Sequence, residues 1–154
     1  RLVEYILGNK DANYINVHRH DATIVQRLEA ALAEPSLYDE VLKLLARRGF
    51  KLPAAVIKRD WREPFAGHQA VLEAWLEIYR KPKDHWELYD LAEKLMDMEM
   101  LFQRWRFDHV SAVERVIGHQ PGTGGSSGVA FLKKALELRF FHDLYEVRNR
   151  LIYG

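Results

Sequence analysis

Between Asp84 and Gly118 the chain contains neither proline nor glycine, and its apolar residues recur at helical spacing throughout. Leu88, Leu91, Ala92, Leu95, Met98, Phe102, Trp105, Val113, Val116 and Ile117 form a stripe that only a helix can gather on one side. A helix of that length reaches about 50 Å at roughly 1.5 Å per residue, more than a small bundle covers. The expectation is therefore an all-α helical bundle built around one long central helix, a single domain over residues 1–154, with oligomerisation covering the remainder.

The flanking segments read the same way. Arg1 to Leu7 is amphipathic and stops at Gly8-Asn9-Lys10, and the polar stretch Asp11 to Asp21 reads as a loop. Thr23 to Ala33 places Ile24, Leu28, Ala31 and Leu32 on one face, and Pro35 ends it. Ser36 followed by Asp39 forms a capping signature for a helix through Leu45 that stops at Gly49. Pro53 opens a short segment to Ile57, and His68 to Tyr79 carries Val71, Leu72, Trp75 and Ile78. Asp84 with Glu87 signals the start of the long helix. Beyond Gly118, Val129 to Phe141 is expected as one helix, and Leu144, Val147 and Leu151 mark a last short one.

Composition narrows the chemistry. Lys plus Arg number 23 against 22 Asp plus Glu, a formal +1, so no long-range field draws nucleic acid or an anionic membrane. No apolar run approaches the roughly 20 residues that span a bilayer. There is no cysteine, which removes disulfides, thiolate-bound metals and thiol nucleophiles together. With no export signal, the expected location is the cytoplasm.

Two features could carry chemistry. His109 follows Trp105 by four residues and precedes Val113 by four, so it shares their apolar face and is expected to point inward. A neutral imidazole among greasy walls suits the proximal side of a haem iron, whereas a core histidine satisfied by a hydrogen bond is the commoner case. The second feature is Gly122-Thr123-Gly124-Gly125-Ser126-Ser127-Gly128, whose backbone amides can approach a ligand closely. No Lys-Ser or Lys-Thr follows it, so a nucleotide-triphosphate loop is disfavoured, and a plain flexible linker is the alternative. His18 and His20, two apart in a polar loop, more often meet solvent than metal. No Glu-x-x-His pair lies on the long helix for a di-iron site, and no Gly-x-Ser-x-Gly elbow exists.

Arg104-Trp105-Arg106-Phe107-Asp108-His109, then Val113-Glu114-Arg115-Val116-Ile117-Gly118, then Gly122 to Gly128 closely resemble the C-terminal half of the tryptophan 2,3-dioxygenase family. Leu7-Gly8-Asn9-Lys10, Pro35 to Glu40, Arg59-Asp60-Trp61, His85-Trp86-Glu87-Leu88 and Phe131-Leu132 extend the likeness over nearly the whole chain. The resemblance implies a haem b enzyme that adds O₂ across the indole C2–C3 bond of L-tryptophan to give N-formyl-L-kynurenine, normally as a homotetramer. It implies His109 as the axial ligand of the haem iron, with Trp105 in the cofactor site. Thr123, with Gly124 and Gly125, corresponds to the loop that contacts the substrate. The runner-up is a noncatalytic haem-binding or helical interaction module.

In the family, a motif resembling Ser-Gly-Phe-Gln-Ser-x-Gln-Tyr-Arg leads into the helix that ends at Leu-Gly-Asn-Lys, and Arg1 matches its last residue. The family's distal histidine, carboxylate-binding arginine and indole-lining aromatics lie before that point. No catalytic residue is therefore assigned within 1–154, and the expectation is little or no activity from this chain alone.

Overall fold

A computed structural model describes residues 2–118 and 128–153, and every regular element among them is helical. In chain order these are α1 (Leu2–Leu7), α2 (Asn13–Val17), α3 (Ala22–Ala33), α4 (Leu37–Arg47), α5 (Ala54–Ile57), α6 (Gln69–Arg80), α7 (Trp86–Ile117), α8 (Val129–Ala135) and α9 (His142–Tyr153). They group into two compact units, one of Arg1–Glu93 with Phe140–Gly154, the other of Lys94–Arg139.

In the first unit local signals set the helix ends. The Asp21 carboxylate accepts the amides of Thr23 and Ile24 at the start of α3. Ser36 and Asp39 complete the reciprocal capping box of α4, and Gly49 closes that helix with a φ of +98° that a side chain would resist. Asp39 is fully buried and also receives the Arg59 guanidinium at 2.7 and 2.8 Å, which pins the segment after α5 to the α4 cap. At the far end of α3, the buried Lys10 ammonium donates to the carbonyls of Ala31, Leu32 and Glu34, and burial lowers its pKa.

Helices α6 and α9 pack most extensively. Around them Tyr5, Tyr38, Leu42, Leu45, Val71, Trp75, Ile78, Phe141, Leu144 and Val147 are buried as one apolar core. A polar chain threads it: Trp75 Nε1 donates to Tyr38 Oη at 2.9 Å, and Tyr38 Oη donates to Asp143 Oδ2 at 3.3 Å. The His68 amide donates to Asp143 Oδ1 at 3.3 Å, so Trp75, Tyr38 and Asp143 are all hydrogen-bonded within this one network.

Several sequence expectations change. The stretch Asp11 to Asp21 contains α2, where Tyr14 and Ile15 are buried and supply the apolar anchor that its polar composition masks. The long helix begins at Trp86, one residue later than Asp84 in its capping role requires; the Asp84 amide instead donates to Lys81 in the preceding turn. The helix expected over Val129 to Phe141 ends at Ala135. Phe140 and Phe141 are consecutive and both buried, which one face of a continuing helix cannot accommodate, so the chain turns before α9.

Candidate functional site

Helix α7 is 32 residues long and closes at Gly118, whose φ of +59° ends the ladder after its amide reaches Glu114. Its buried line is Leu88, Ala92, Leu95, Glu99, Arg106 and Val110, at alternating three- and four-residue steps with one longer interval. Two members of that line are charged. By contrast Leu101, Trp105 and Val116 are 64%, 54% and 80% exposed, and they form a separate line on the same helix.

His109 belongs to the exposed line and is itself exposed. The expectation that it points inward with Trp105 and Val113 is thus corrected for this chain. The periodicity is sound, yet the face covered by the chain's own residues is rotated away by about 100° around the helix, because Glu99, Arg106 and Val110 occupy it. A core histidine satisfied by a hydrogen bond is not what the structure holds either. Among the described residues, the recorded partner of the His109 ring is the Trp105 indole, stacked with centroids 5.3 Å apart and planes 6° from parallel. The i, i+4 offset produces that stack, and the Phe102 ring lies tilted beside Trp105 with centroids 5.4 Å apart.

The donor set decides what such a residue can hold. Among the described residues no group of three or more His, Asp or Glu converges for a metal ion, so a bare cation finds no cage at His109. A single accessible imidazole beside an apolar surface suits an iron whose other ligands come mainly from a flat macrocycle. The exposed faces of Trp105, Leu101 and Val116 provide apolar surface on the same helix. The residues present therefore fit haem.

Thr123, Gly124 and Gly125 lie outside the described residues. Gly128, the last residue of the glycine-rich run, is buried and precedes α8 with φ +54° and ψ −113°, a conformation open to glycine. The ring centroids of His18 and His20 are 6.3 Å apart in the short turn between α2 and α3, and no third ligand joins them among the described residues.

A separate open cleft of about 410 Å³ lies in the first unit, lined by Arg48, Phe50, Glu73, Glu77 and His85 among others. Two of its side chains already face carboxylates, Arg48 with Glu87 at 2.6 Å and His85 with Glu77 at 3.7 Å. Sequence reasoning gave it no role, and its balanced polar lining explains why no motif marks it. Among the described residues no helix is long and apolar enough to cross a membrane.

Comparison with known proteins matches residues 1–151 to the family model described as tryptophan 2,3-dioxygenase. Tryptophan 2,3-dioxygenase of Bradyrhizobium diazoefficiens is 53% identical over 98% of this chain and 54% of its own length. Those of Shewanella woodyi and Paraburkholderia phytofirmans are 48% identical over the same share of this chain, covering 53% and 49% of theirs. The chain thus spans about half the length of these curated relatives.

Proposed function

The chain belongs to the tryptophan 2,3-dioxygenase family, and on that premise we propose that it forms the haem-ligating portion of a haem b dioxygenase acting on L-tryptophan and O₂. The observation that carries the reading is His109: an exposed imidazole, parallel to an indole, on an exposed apolar line of a long helix. Haem b, when bound, supplies the redox chemistry that adds both atoms of O₂ across the indole C2–C3 bond to give N-formyl-L-kynurenine.

The chain's own residues do the holding. His109 would lend one ring nitrogen to the iron, and Trp105 keeps the ring plane fixed by stacking. The apolar surfaces of Leu101, Trp105 and Val116 would exclude water from beside a bound macrocycle and so keep the local dielectric low. Thr123 binds the ammonium and carboxylate of the substrate, with Gly124 and Gly125 offering backbone amides; sequence similarity alone supports these roles. The complete enzyme is a cytoplasmic homotetramer, and the exposed Met100 and Phe107 on a further line of α7 give self-association an apolar surface to use.

The test is a haem titration followed by absorbance. A Soret band that is shifted or lost in His109→Ala supports ligation, and an identical band in the variant overturns it. Accumulation of N-formylkynurenine from L-tryptophan under O₂ then separates an enzyme from a noncatalytic haem binder. Thr123→Ala should weaken L-tryptophan binding with haem content unchanged; equal loss of both removes its assigned role.

A further inference from the structure

Within the second unit, two side chains of α7 on either side of His109 reach the segment 129–139, one meeting Lys133 on α8 and the other Leu138 just beyond it. Arg106, three residues before His109, is 3% exposed and donates from its guanidinium to the Leu138 carbonyl at 3.3 Å. Its guanidinium also lies over the Phe102 ring, 4.9 Å from the centroid. Glu114, five residues after His109, accepts from Lys133 Nζ at 3.1 Å. The order is antiparallel, with the earlier α7 residue gripping the later point on the returning strand of chain. Val110 and Val129 are buried, at 4% and 2% exposure, and fill the apolar part of this unit.

We propose that Arg106 is a positioning residue which, with the Glu114–Lys133 pair, clamps α8 to α7 so that the end of the glycine-rich run is held in register with His109. The physical grounds are burial and chain connectivity. A guanidinium taken almost wholly out of water must find fixed acceptors, and a backbone carbonyl just beyond the last turn of α8 is one. Gly128 ends the glycine-rich run and is the residue from which α8 starts, so whatever fixes α8 fixes that end of the run. Gly128 has no side chain to anchor itself, and α8 is only 7 residues long, too short to hold a helix by its own hydrogen bonds. An anchor outside α8 is therefore needed, and Arg106 and Glu114 of α7 supply two points of one. The functional meaning rests on the reading of His109 as haem ligand and of the run as the substrate loop, whereas the clamp itself does not.

Amide hydrogen exchange, resolved by segment, tests the clamp on the full chain. In Arg106→Met the amides of Val129–Ala135 should exchange at least tenfold faster while those of Trp86–Leu95 keep their rates, and Arg106→Lys should restore most of the protection. Unchanged exchange over Val129–Ala135 in Arg106→Met overturns the proposal. Should Arg106→Met lose protection along all of α7, Glu114→Gln decides instead: a two- to threefold rise confined to Val129–Ala135 supports the clamp, and no rise there overturns it. A haem titration of the same variants keeps the two readings apart. A Soret band absent from the unsubstituted chain removes the ligand role of His109, and the exchange result still stands or falls by itself. Where L-tryptophan is turned over, Arg106→Met should raise KM more than it lowers kcat.

Discussion

Trp75 and Trp105 sit on amphipathic helices of similar composition, and the structure treats them oppositely. Trp75 is fully buried on α6, its indole N–H bonded to Tyr38 and its ring packed in the α6–α9 core. Trp105 is 54% exposed on α7 and stacks on a histidine. The region around Trp75 spends its aromatic surface on holding the chain together. The stretch around Trp105 does the reverse, with charged Glu99 and Arg106 inside and Leu101, Trp105 and Val116 outside. A helix with apolar residues on an uncovered face offers a surface for something else to lie against.

The sharpest way to break this contrast is to truncate both indoles. Trp75→Ala should cost about 3–5 kcal/mol in urea unfolding, since a large aromatic and its hydrogen-bonded partner lose their packing. A loss below about 1 kcal/mol would mean that this core is far looser than its burial indicates. Next, Arg59→Met leaves the buried Asp39 carboxylate without its bidentate partner and should cost about 3 kcal/mol by the same measurement. A neutral result would place the strength of the α4 cap in Ser36 alone.

A smaller effect should appear with pH. Burial raises the Asp143 carboxyl above its ordinary value of 3.8, outweighing the His68 and Tyr38 hydrogen bonds that favour its ionised form. The folded state then holds that proton more readily than the unfolded chain. The associated stability is present below 3.8 and is lost as pH rises through the folded value. Melting temperature followed against pH should therefore fall less with rising pH across that window in Asp143→Asn than in the unsubstituted chain, and parallel curves would refute the assignment.

The smallest expected effects belong to the exposed line of α7. Trp105→Ala and His109→Ala should each change the unfolding free energy by no more than about 0.5 kcal/mol, because little is buried there in this chain. The same substitutions should strongly change haem uptake. A large stability loss in His109→Ala without haem would assign that histidine to the core after all.

Most helix boundaries could be read from a few residues each. Ser36 with Asp39 forms the capping box it spells, Pro53 precedes α5, and Gly49 and Gly118 close their helices. Such signals act over three or four residues, so the local sequence contains all the information they need. Where an element depended on remote packing the reading failed. Two buried residues, Tyr14 and Ile15, sustain α2 inside a stretch that is otherwise polar. Likewise Phe140 and Phe141 end the segment after α8 by entering the core of the other unit. The site followed the same division. The spacing of Trp105 and His109 put both on one side of α7, where they stack, yet that side was read as inward.

By itself, then, the sequence determined the helical class, the length of α7, the absence of thiol chemistry and the placing of His109 and Trp105 on one side of the helix, since all of these follow from residue identity and short-range spacing. Only the tertiary structure decided which line of α7 the chain covers with its own residues and which it leaves open. Periodicity records that apolar lines exist on a helix. Which line is buried depends on where distant segments such as α8 pack, and the free energy of that choice is spread over contacts that no short window of sequence contains.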